Sequence, residues 1–312
     1  MITITYKELS SLTNDLGFSA RALYALSNHS TKHYHKTVIP KHSGGERVLH
    51  VPDEFLKAVQ RSIVRNLLAY EAVSPHARAY CYGASTVKNA LPHKGHRVLL
   101  KLDIQNFFDS INYPLVKNKV FTKERFSESN RVLLSLLCTY KDTLPQGAPT
   151  SPFVSNIIMK DFDNTVGTWC NERNITYTRY CDDLTFSGDF NQDEVKTFVS
   201  QELRKMGFFL NAKKTTLLHD GQQKCVTGIV VNDKLNAPLR YRKGIRQEVY
   251  YCKKFGIEEH IKKQGIEKTR EGYLKSLLGR INYVLSIDDT NEEMKSYKAW
   301  ALKECKTAQL KK

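Results

Sequence analysis

The spacing of apolar residues predicts three amphipathic helices along the chain. Residues 53–71 carry apolar side chains at 56, 59, 63 and 67, which is helical spacing. Residues 150–169 predict a second helix, with Ser151 as its N-cap and Pro152 at its first position. Residues 192–206 predict a third helix that ends at Gly207. Residues 1–35 are interpreted as a small helical lead-in.

Strands are predicted where apolar residues alternate with polar ones. Residues 97–104 place four apolar side chains on one face and Asp103 on the other. Residues 38–52 predict two strands around a Gly44-Gly45 turn, and residues 224–232 predict one further strand. Residues 176–186 predict a hairpin whose tight bend carries Asp182 and Asp183. This order of elements indicates an antiparallel sheet backed by helices, an α+β fold.

The charge balance changes this picture by indicating a partner. Forty-eight Lys and Arg residues against thirty-two Asp and Glu residues give the 312-residue chain a net charge of +16 and a pI of about 9.4. Such an excess favours a polyanionic partner, of which nucleic acid is the commonest, although a basic enzyme that binds no polyanion remains an alternative.

Cysteine usage and hydropathy indicate a cellular location. The seven cysteines are odd in number and lack C-x-x-C spacing, which is typical of a reducing cytosol rather than of a disulfide framework or zinc site. No apolar run approaches the ~18 residues of a membrane span, and no secretory signal is recognisable. We therefore expect a cytoplasmic protein without a membrane partner.

The carboxylates of the adjacent residues Asp182 and Asp183 repel each other, so their proximity needs an explanation. An Asp-Asp pair in a turn is often a solvated surface feature, and Asp288-Asp289 is interpreted in that way. Asp103, however, ends a core strand, and two strand ends bearing carboxylates side by side would form a negative pocket that favours a divalent cation. The sequence therefore predicts a candidate metal site, which spacing alone does not establish.

Four segments occur in the order of the reverse-transcriptase palm motifs: "LLKLDIQNFFDSI", "LPQGAPTSP", "YTRYCDDLTF" and "GFFLNAKKT". Tyr180 to Asp183 resemble the Tyr-x-Asp-Asp box of that family, with Cys181 where many relatives carry Ala. Two further segments resemble bacterial retron reverse transcriptases: "NALPH", residues 89–93, and "VTG", residues 226–228.

The resemblance implies a right-hand polymerase with fingers, an antiparallel-sheet palm and a helical thumb. The implied divisions are a helical lead-in over 1–37, fingers over 38–95 with part of 115–145, a palm over 96–236 and a basic, RNA-binding thumb over 237–312.

The same resemblance assigns roles to individual residues. Two Mg²⁺ ions, with Mn²⁺ as a possible substitute, are expected on Asp103, Asp182, Asp183 and the Ile104 carbonyl, and Lys214 is the expected acid for the leaving pyrophosphate. The residues expected to bind the nucleotide are Lys41, Arg47, Phe108 as the steric gate against ribonucleotides, Gln146 and Gly147. The residues expected to bind RNA are Asn89, His93, Arg240, Arg242, Lys243 and Arg246.

As a retron-type enzyme, the protein is expected to bind a structured noncoding RNA and to copy part of it from deoxynucleotides into single-stranded DNA, called msDNA. Priming from an internal 2′-hydroxyl would leave that DNA branched on the RNA. Retrons act in antiphage defence with a separate effector protein, which becomes an expected partner. The alternatives are a group II intron-like or other bacterial reverse transcriptase primed by a 3′-hydroxyl, and an RNA-binding scaffold for an effector.

Overall fold

Helices account for most of the regular structure. The computed structural model describes residues 4–40 and 44–309, with side chains up to residue 306. Its α-helices are α1 (Leu9–Leu16), α2 (Ala20–Asn28), α3 (Glu54–Ile63), α4 (Thr86–Ala90), α5 (Tyr113–Lys119), α6 (Glu128–Cys138), α7 (Ser151–Ile158), α8 (Lys160–Asn171), α9 (Gln192–Lys205), α10 (Leu239–Phe255), α11 (Ile257–Lys263), α12 (Arg270–Ile287) and α13 (Glu292–Gln309).

The strands form one sheet and two separate hairpins. They are β1 (Tyr34–Pro40), β2 (Glu46–Pro52), β3 (Val98–Asp103), β4 (Thr176–Tyr180), β5 (Asp183–Gly188), β6 (Thr216–Leu218), β7 (Cys225–Val226) and β8 (Ile229–Val230). The four-stranded sheet has the order β4-β5-β3-β6, while β1 pairs with β2 and β7 with β8. The pairs β1–β2, β4–β5 and β7–β8 are antiparallel. The prediction of an α+β fold with antiparallel pairing is confirmed.

The chain divides into two compact units. The first comprises Met1–Ala84 and Leu100–Leu217, and the second comprises Ser85–Leu99 and Leu218–Lys312. In the first unit, helices α7, α8 and α9 share one apolar core with the strands, through side chains such as Val154, Phe162 and Val199. The second unit has a core formed by α10, α12 and α13 and a smaller cluster around Val226 and Ile229. The division into fingers, palm and thumb stays a prediction.

Two predicted elements are wrong in detail. The helix expected over 150–169 is two helices, α7 and α8. Met159 between them has a ψ of −3°, which departs from the ψ of an α-helix and interrupts it. Ser151 is the first residue of α7 rather than its N-cap, and its hydroxyl donates to the Pro145 carbonyl at 2.7 Å. In place of one strand over 224–232, β7 and β8 form a hairpin, because Thr227 and Gly228 both adopt positive φ, 46° and 80°.

Several predicted termini are confirmed. Asp53 caps α3 by accepting from the Leu56 amide at 2.8 Å, although the α-helical hydrogen bonding widens to a π-helical turn over Val64–Leu68. Helix α9 ends just before Gly207, whose φ is 81°.

Within the described residues, no helix is both long and apolar enough to cross a bilayer.

Candidate active site

The backbone brings Asp103 and Asp182 next to each other. Asp103 is the last residue of β3, and β3 lies beside β5 in the sheet. The amide of Ile104 donates to the Asp182 carbonyl at 3.0 Å, which joins the end of β3 to the bend between β4 and β5. Two aspartates that are 79 positions apart in the sequence therefore meet at one edge of the sheet.

The bend between β4 and β5 is short and tightly constrained. Tyr180 faces Asp183 as the last pair of the ladder, so only Cys181 and Asp182 form the loop. Cys181 has φ 61°, a left-handed conformation that is uncommon for residues with a side chain, and it is 8% exposed. Burial, with the nearby Asp182 carboxylate as a further cause, raises the pKa of the Cys181 thiol to about 12. The prediction of a tight bend is confirmed for Asp182, whereas Asp183 is the first residue of β5.

Lys214 and Asn211 hold the Asp103 carboxylate. The Lys214 ammonium contacts Asp103 Oδ2 at 2.7 Å, and Asn211 Nδ2 donates to Oδ1 at 3.3 Å. The Asn211 amide also donates to the Asp103 carbonyl at 2.8 Å. The hydrogen bond to Asp103 raises the pKa of Lys214, so its ammonium form is favoured. Asn211 was not predicted from sequence, although it directly precedes the Ala-Lys-Lys segment that carries Lys214.

Burial and neighbouring carboxylates together raise the pKa of Asp183. Burial and then the adjacent Asp182 carboxylate raise the pKa of Asp183, and Asp103 raises it further. Lys101 and Lys214 lower the same pKa, but the net shift is upward. A carboxyl with a raised pKa is stabilised when a further cation approaches, because its charged form is then favoured.

The donor set fits a hard divalent cation. Carboxylate oxygens are the ligands that Mg²⁺ prefers, and Mg²⁺ is commonly held by only one or two carboxylates, with waters and substrate phosphates completing its shell. In the described part of the chain, no group of three or more His, Cys, Asp or Glu side chains is arranged to hold an ion. Asp103, Asp182 and Asp183 thus have the right chemistry and are adjacent along the backbone, but their three carboxylates are not gathered into a metal-holding group, and their role as ligands stays a prediction.

The four predicted nucleotide-binding residues that the structure describes lie in the same unit as the aspartates. Phe108 is half-buried against the fully packed ring of Phe107, at a centroid distance of 5.3 Å. Gly147 has φ 118°, and a Cβ there would lie 3.1 Å from the His50 carbonyl oxygen, so the close approach that the structure shows is to β2. The carbonyl of Gln146 accepts from the His50 amide at 2.9 Å. Arg47 is exposed on β2, and Lys41 lies outside the described residues.

The two segments that resemble retron enzymes pack together in the second unit. Asn89 Nδ2 lies 3.5 Å from Thr227 Oγ1, and that hydroxyl donates to the Thr86 carbonyl at 3.2 Å. Asn89 and His93 are each only 1% exposed. Their side chains are therefore part of a protein interior, and a direct role in RNA binding stays a prediction.

The basic residues predicted for RNA binding differ in their surroundings. Arg240 and Lys243 are exposed on α10, and their side chains contact no other described residue through an ion pair or hydrogen bond. Arg242 is half-buried and donates to the Ala237 carbonyl at 3.1 Å. Arg246 forms a two-pronged ion pair with Glu293 of α13, at 2.6 and 2.7 Å. Of these four, Arg240 and Lys243 are the exposed residues without an ion pair or hydrogen bond to another described residue.

Sequence reasoning missed a buried ion pair beneath the bend. Arg179 and Asp163 are both fully buried, and Arg179 donates to the Asp163 carboxylate at 2.6 Å through Nη2 and at 2.8 Å through Nε. A charged residue between Thr178 and Tyr180 in a strand with apolar flanks was the available signal. Its partner is sixteen positions away on α8, where no local pattern identifies it.

The comparisons with known proteins identify the family of this chain. Residues 39–254 match the family model described as reverse transcriptase (RNA-dependent DNA polymerase). The Retron Ec86 reverse transcriptase of Escherichia coli is 32% identical over 78% of this chain and 72% of its own. The Retron Mx65 reverse transcriptase of Myxococcus xanthus is 33% identical over 74% of this chain, which spans 60% of that relative.

Among solved structures, the telomerase of Candida albicans aligns with 88% of this chain and 61% of its own, at 11% identity and a TM-score of 0.48. The family assignment therefore depends on the sequence relatives and on the order of the motifs, which are found at the strand ends and the bend described above. The chain belongs to the reverse transcriptases, a family of RNA-directed DNA polymerases, and within it to the bacterial retron reverse transcriptases.

Proposed function

We propose that this protein binds a cognate structured noncoding RNA and copies part of it into single-stranded DNA by nucleotidyl transfer at the bend between β4 and β5. The observation that carries the proposal is the hydrogen bond from Ile104 to Asp182, which places Asp103 beside the Asp182-Asp183 pair. Membership in the retron reverse transcriptases supports the RNA template and the msDNA product.

The chemistry follows from the charge distribution of the site. Bound divalent cations supply activation of the attacking hydroxyl and stabilisation of charge on the phosphate undergoing transfer. Asp103, Asp182 and Asp183 would hold them, because all three residues lie at one edge of the sheet. Lys214 keeps its proton at neutral pH, since Asp103 raises its pKa, and would pass a proton to the leaving pyrophosphate.

Substrate choice would depend on residues around the bend. The half-buried ring of Phe108 would exclude a ribonucleotide by contact with its 2′-hydroxyl. Arg47 would contact the triphosphate, and Gln146 would contact the sugar and the template pair. These roles come from the resemblance of the motifs, and the location of all three in the same unit as the aspartates supports them.

A comparison of two Asp→Asn variants tests the polymerase assignment. Asp182→Asn is expected to abolish incorporation of deoxynucleotides on an RNA template, while Asp189→Asn, an exposed control close by, retains it. Both variants are expected to bind the copurifying RNA as the wild type does. Synthesis by Asp182→Asn at the wild-type rate would refute the assignment, and RNA binding without synthesis by the wild type would indicate a scaffold.

We also propose priming from an internal 2′-hydroxyl and a role in antiphage defence with a separate effector protein, on the support of the family alone. Sequencing of the copurifying nucleic acid, before and after treatment with a debranching enzyme, tests the priming. DNA released from RNA only by debranching is expected, whereas DNA extended from an RNA 3′ end would establish conventional priming. Phage challenge of cells that carry the wild-type gene or Asp182→Asn, each with its neighbouring genes, tests the defence role.

A further inference from the structure

The buried ion pair beneath the bend is unusually complete. Arg179 contacts both carboxylate oxygens of Asp163, and Nη2 also donates to Asn156 Oδ1 at 3.1 Å. The Tyr177 hydroxyl donates to Asp163 Oδ1 at 2.8 Å. Arg179 and Asp163 have no exposed side-chain surface, so both charges are paired and hydrogen-bonded entirely within the protein.

One further hydrogen bond connects this pair to the active-site bend. Arg179 Nη1 donates to the carbonyl of Cys181 at 3.0 Å. That carbonyl belongs to the residue with φ 61°, directly before Asp182. The guanidinium therefore fixes the orientation of the peptide that joins Cys181 to Asp182.

The same pair also holds a loop on the other side of the bend. Asn156, which accepts from Arg179, donates through Nδ2 to the Ala79 carbonyl at 2.7 Å. The neighbouring Tyr80 has φ 57° and shares a hydrogen bond with the Cys181 thiol. The loop that contains Ala79 and Tyr80 and the bend are thus held by one hydrogen-bond network that is centred on Arg179.

Stability alone is a weak reason for such a pair. Burying two charges costs several kcal/mol per ion, and apolar residues of similar volume often replace a buried pair with no loss or a gain of stability. An apolar pair would, however, leave the Cys181 carbonyl without its donor. Only a guanidinium is a rigid fork that can bind Asp163 through Nε and Nη2 and at the same time bind the bend through Nη1.

We propose that Arg179 is a positioning residue for nucleotidyl transfer. It acts through the Cys181 carbonyl to fix the bend, and thereby the directions in which Asp182 and Asp183 project. This inference rests on the proposed polymerase function. It predicts that loss of the guanidinium lowers the rate of the chemical step even where the fold is retained.

The decisive variant is the double replacement Asp163→Leu/Arg179→Met, which removes both charges together and leaves neither buried alone. We expect this variant to fold with a lower Tm than the wild type, because the Tyr177 hydroxyl, the Asn156 amide oxygen and the Cys181 carbonyl lose their buried partners. We expect kcat for deoxynucleotide incorporation to fall about tenfold or more, with KM for the nucleotide changed less than about threefold. We also expect a smaller rise in Tm than in the wild type when Mg²⁺ is added to nucleotide-free protein.

Arg179→Lys is the second variant, because it retains the charge opposite Asp163. A single ammonium cannot occupy the positions of both Nη2 and Nη1, so kcat is again expected to fall while the fold is kept. Asn130→Leu is the control for destabilisation alone. Asn130 is fully buried on α6, and its Nδ2 donates to the Tyr6 carbonyl at 2.9 Å, so this variant should lower Tm without changing kcat.

The outcomes separate the two proposals. A folded double variant or Arg179→Lys with wild-type kcat and a wild-type response of Tm to Mg²⁺ would overturn the role of Arg179. Failure of both variants to fold would overturn it as well, because Arg179 would then be a requirement of folding rather than of positioning. A wild-type protein that incorporates no nucleotide in the same assay would instead count against the proposed function.

Discussion

The contrast between unshared and paired cations on α10 gives a quantitative prediction for RNA binding. Arg240 and Lys243 are exposed and form no ion pair or hydrogen bond with another described residue, whereas the charge of Arg246 is already offset by Glu293 at 2.6 Å. Each cation that neutralises a phosphate contributes roughly 0.7 to 0.9 to the dependence of log K on the logarithm of salt concentration. Replacing Arg240 and Lys243 with Gln should therefore reduce the slope by about 1.4 to 1.8.

In terms of affinity, this change is large enough to measure. A fourfold rise in salt, from about 50 to about 200 mM KCl, should weaken the wild type roughly 7 to 12 times more than Arg240→Gln/Lys243→Gln. The assay is fluorescence anisotropy with a labelled RNA duplex of arbitrary sequence, because the phosphate term does not depend on base sequence. At low salt the double variant should bind more weakly than the wild type.

The matched control removes a charge pair and leaves the net charge unchanged. Arg246→Gln/Glu293→Gln deletes one cation and the anion that it contacts, so the slope should stay within about 0.5 of the wild-type value. If the salt dependence of binding falls as much in the control variant as in Arg240→Gln/Lys243→Gln, Arg246 must leave Glu293 to bind phosphate. An unchanged slope for Arg240→Gln/Lys243→Gln would show that this face of α10 does not contact the RNA.

Two further predictions concern stability. Gly167→Ala should lower the free energy of unfolding by about 1–3 kcal/mol, because its Cβ would lie 2.0 Å from Nε2 of His76. Gly279→Ala has no atom within 4 Å of the new Cβ and should raise the free energy of unfolding by about 0.5–1 kcal/mol. Urea denaturation measures both variants, and equal effects would contradict the packing argument. Burial acts to raise the pKa of Glu248, but hydrogen bonds and charge from Arg280 lower this pKa overall. The stability that Glu248 contributes is therefore present above its ordinary pKa and is lost as pH falls through the lowered value. The Tm difference between wild type and Glu248→Gln should shrink from pH 7 to pH 3, and a constant difference would contradict the assignment.

Local patterns predicted the β4–β5 hairpin well because its signals are short in range. Alternation identified β4 and β5, and two strand-forming runs that flank two acids left room only for a tight bend. The same reasoning failed at 224–232, where apolar residues on both sides of Thr227 resemble one continuous strand. There the positive φ of Thr227 reverses the chain, and Thr is a residue type for which that conformation is not expected.

The residues that surround the aspartates could be predicted only in part, because their contacts are distant in sequence. Lys214 lies 111 positions from Asp103 and was identified only through a family resemblance. Arg179 lies in a strand segment that hints at its burial, but nothing in the sequence pairs it with Asp163 on α8. A buried ion pair requires knowledge of which strand faces which helix, and periodicity does not contain that information.

The burial of polar residues in the segments that resemble retron enzymes leads us to expect an indirect role for them in RNA binding. Asn89 and His93 are buried, and Asn89 contacts the hydroxyl of Thr227, whose strained backbone reverses the chain between β7 and β8. Lys88 and Lys94 lie beside them in the sequence and are exposed. Because the buried side-chain amide of Asn89 joins residues 89–93 to residues 226–228, we expect it to set the shape of the protein surface around these two segments. The phosphate contacts would then come from the exposed lysines, so Asn89→Ala should change which RNA is bound, while Lys88→Gln and Lys94→Gln should lower the salt slope for every RNA.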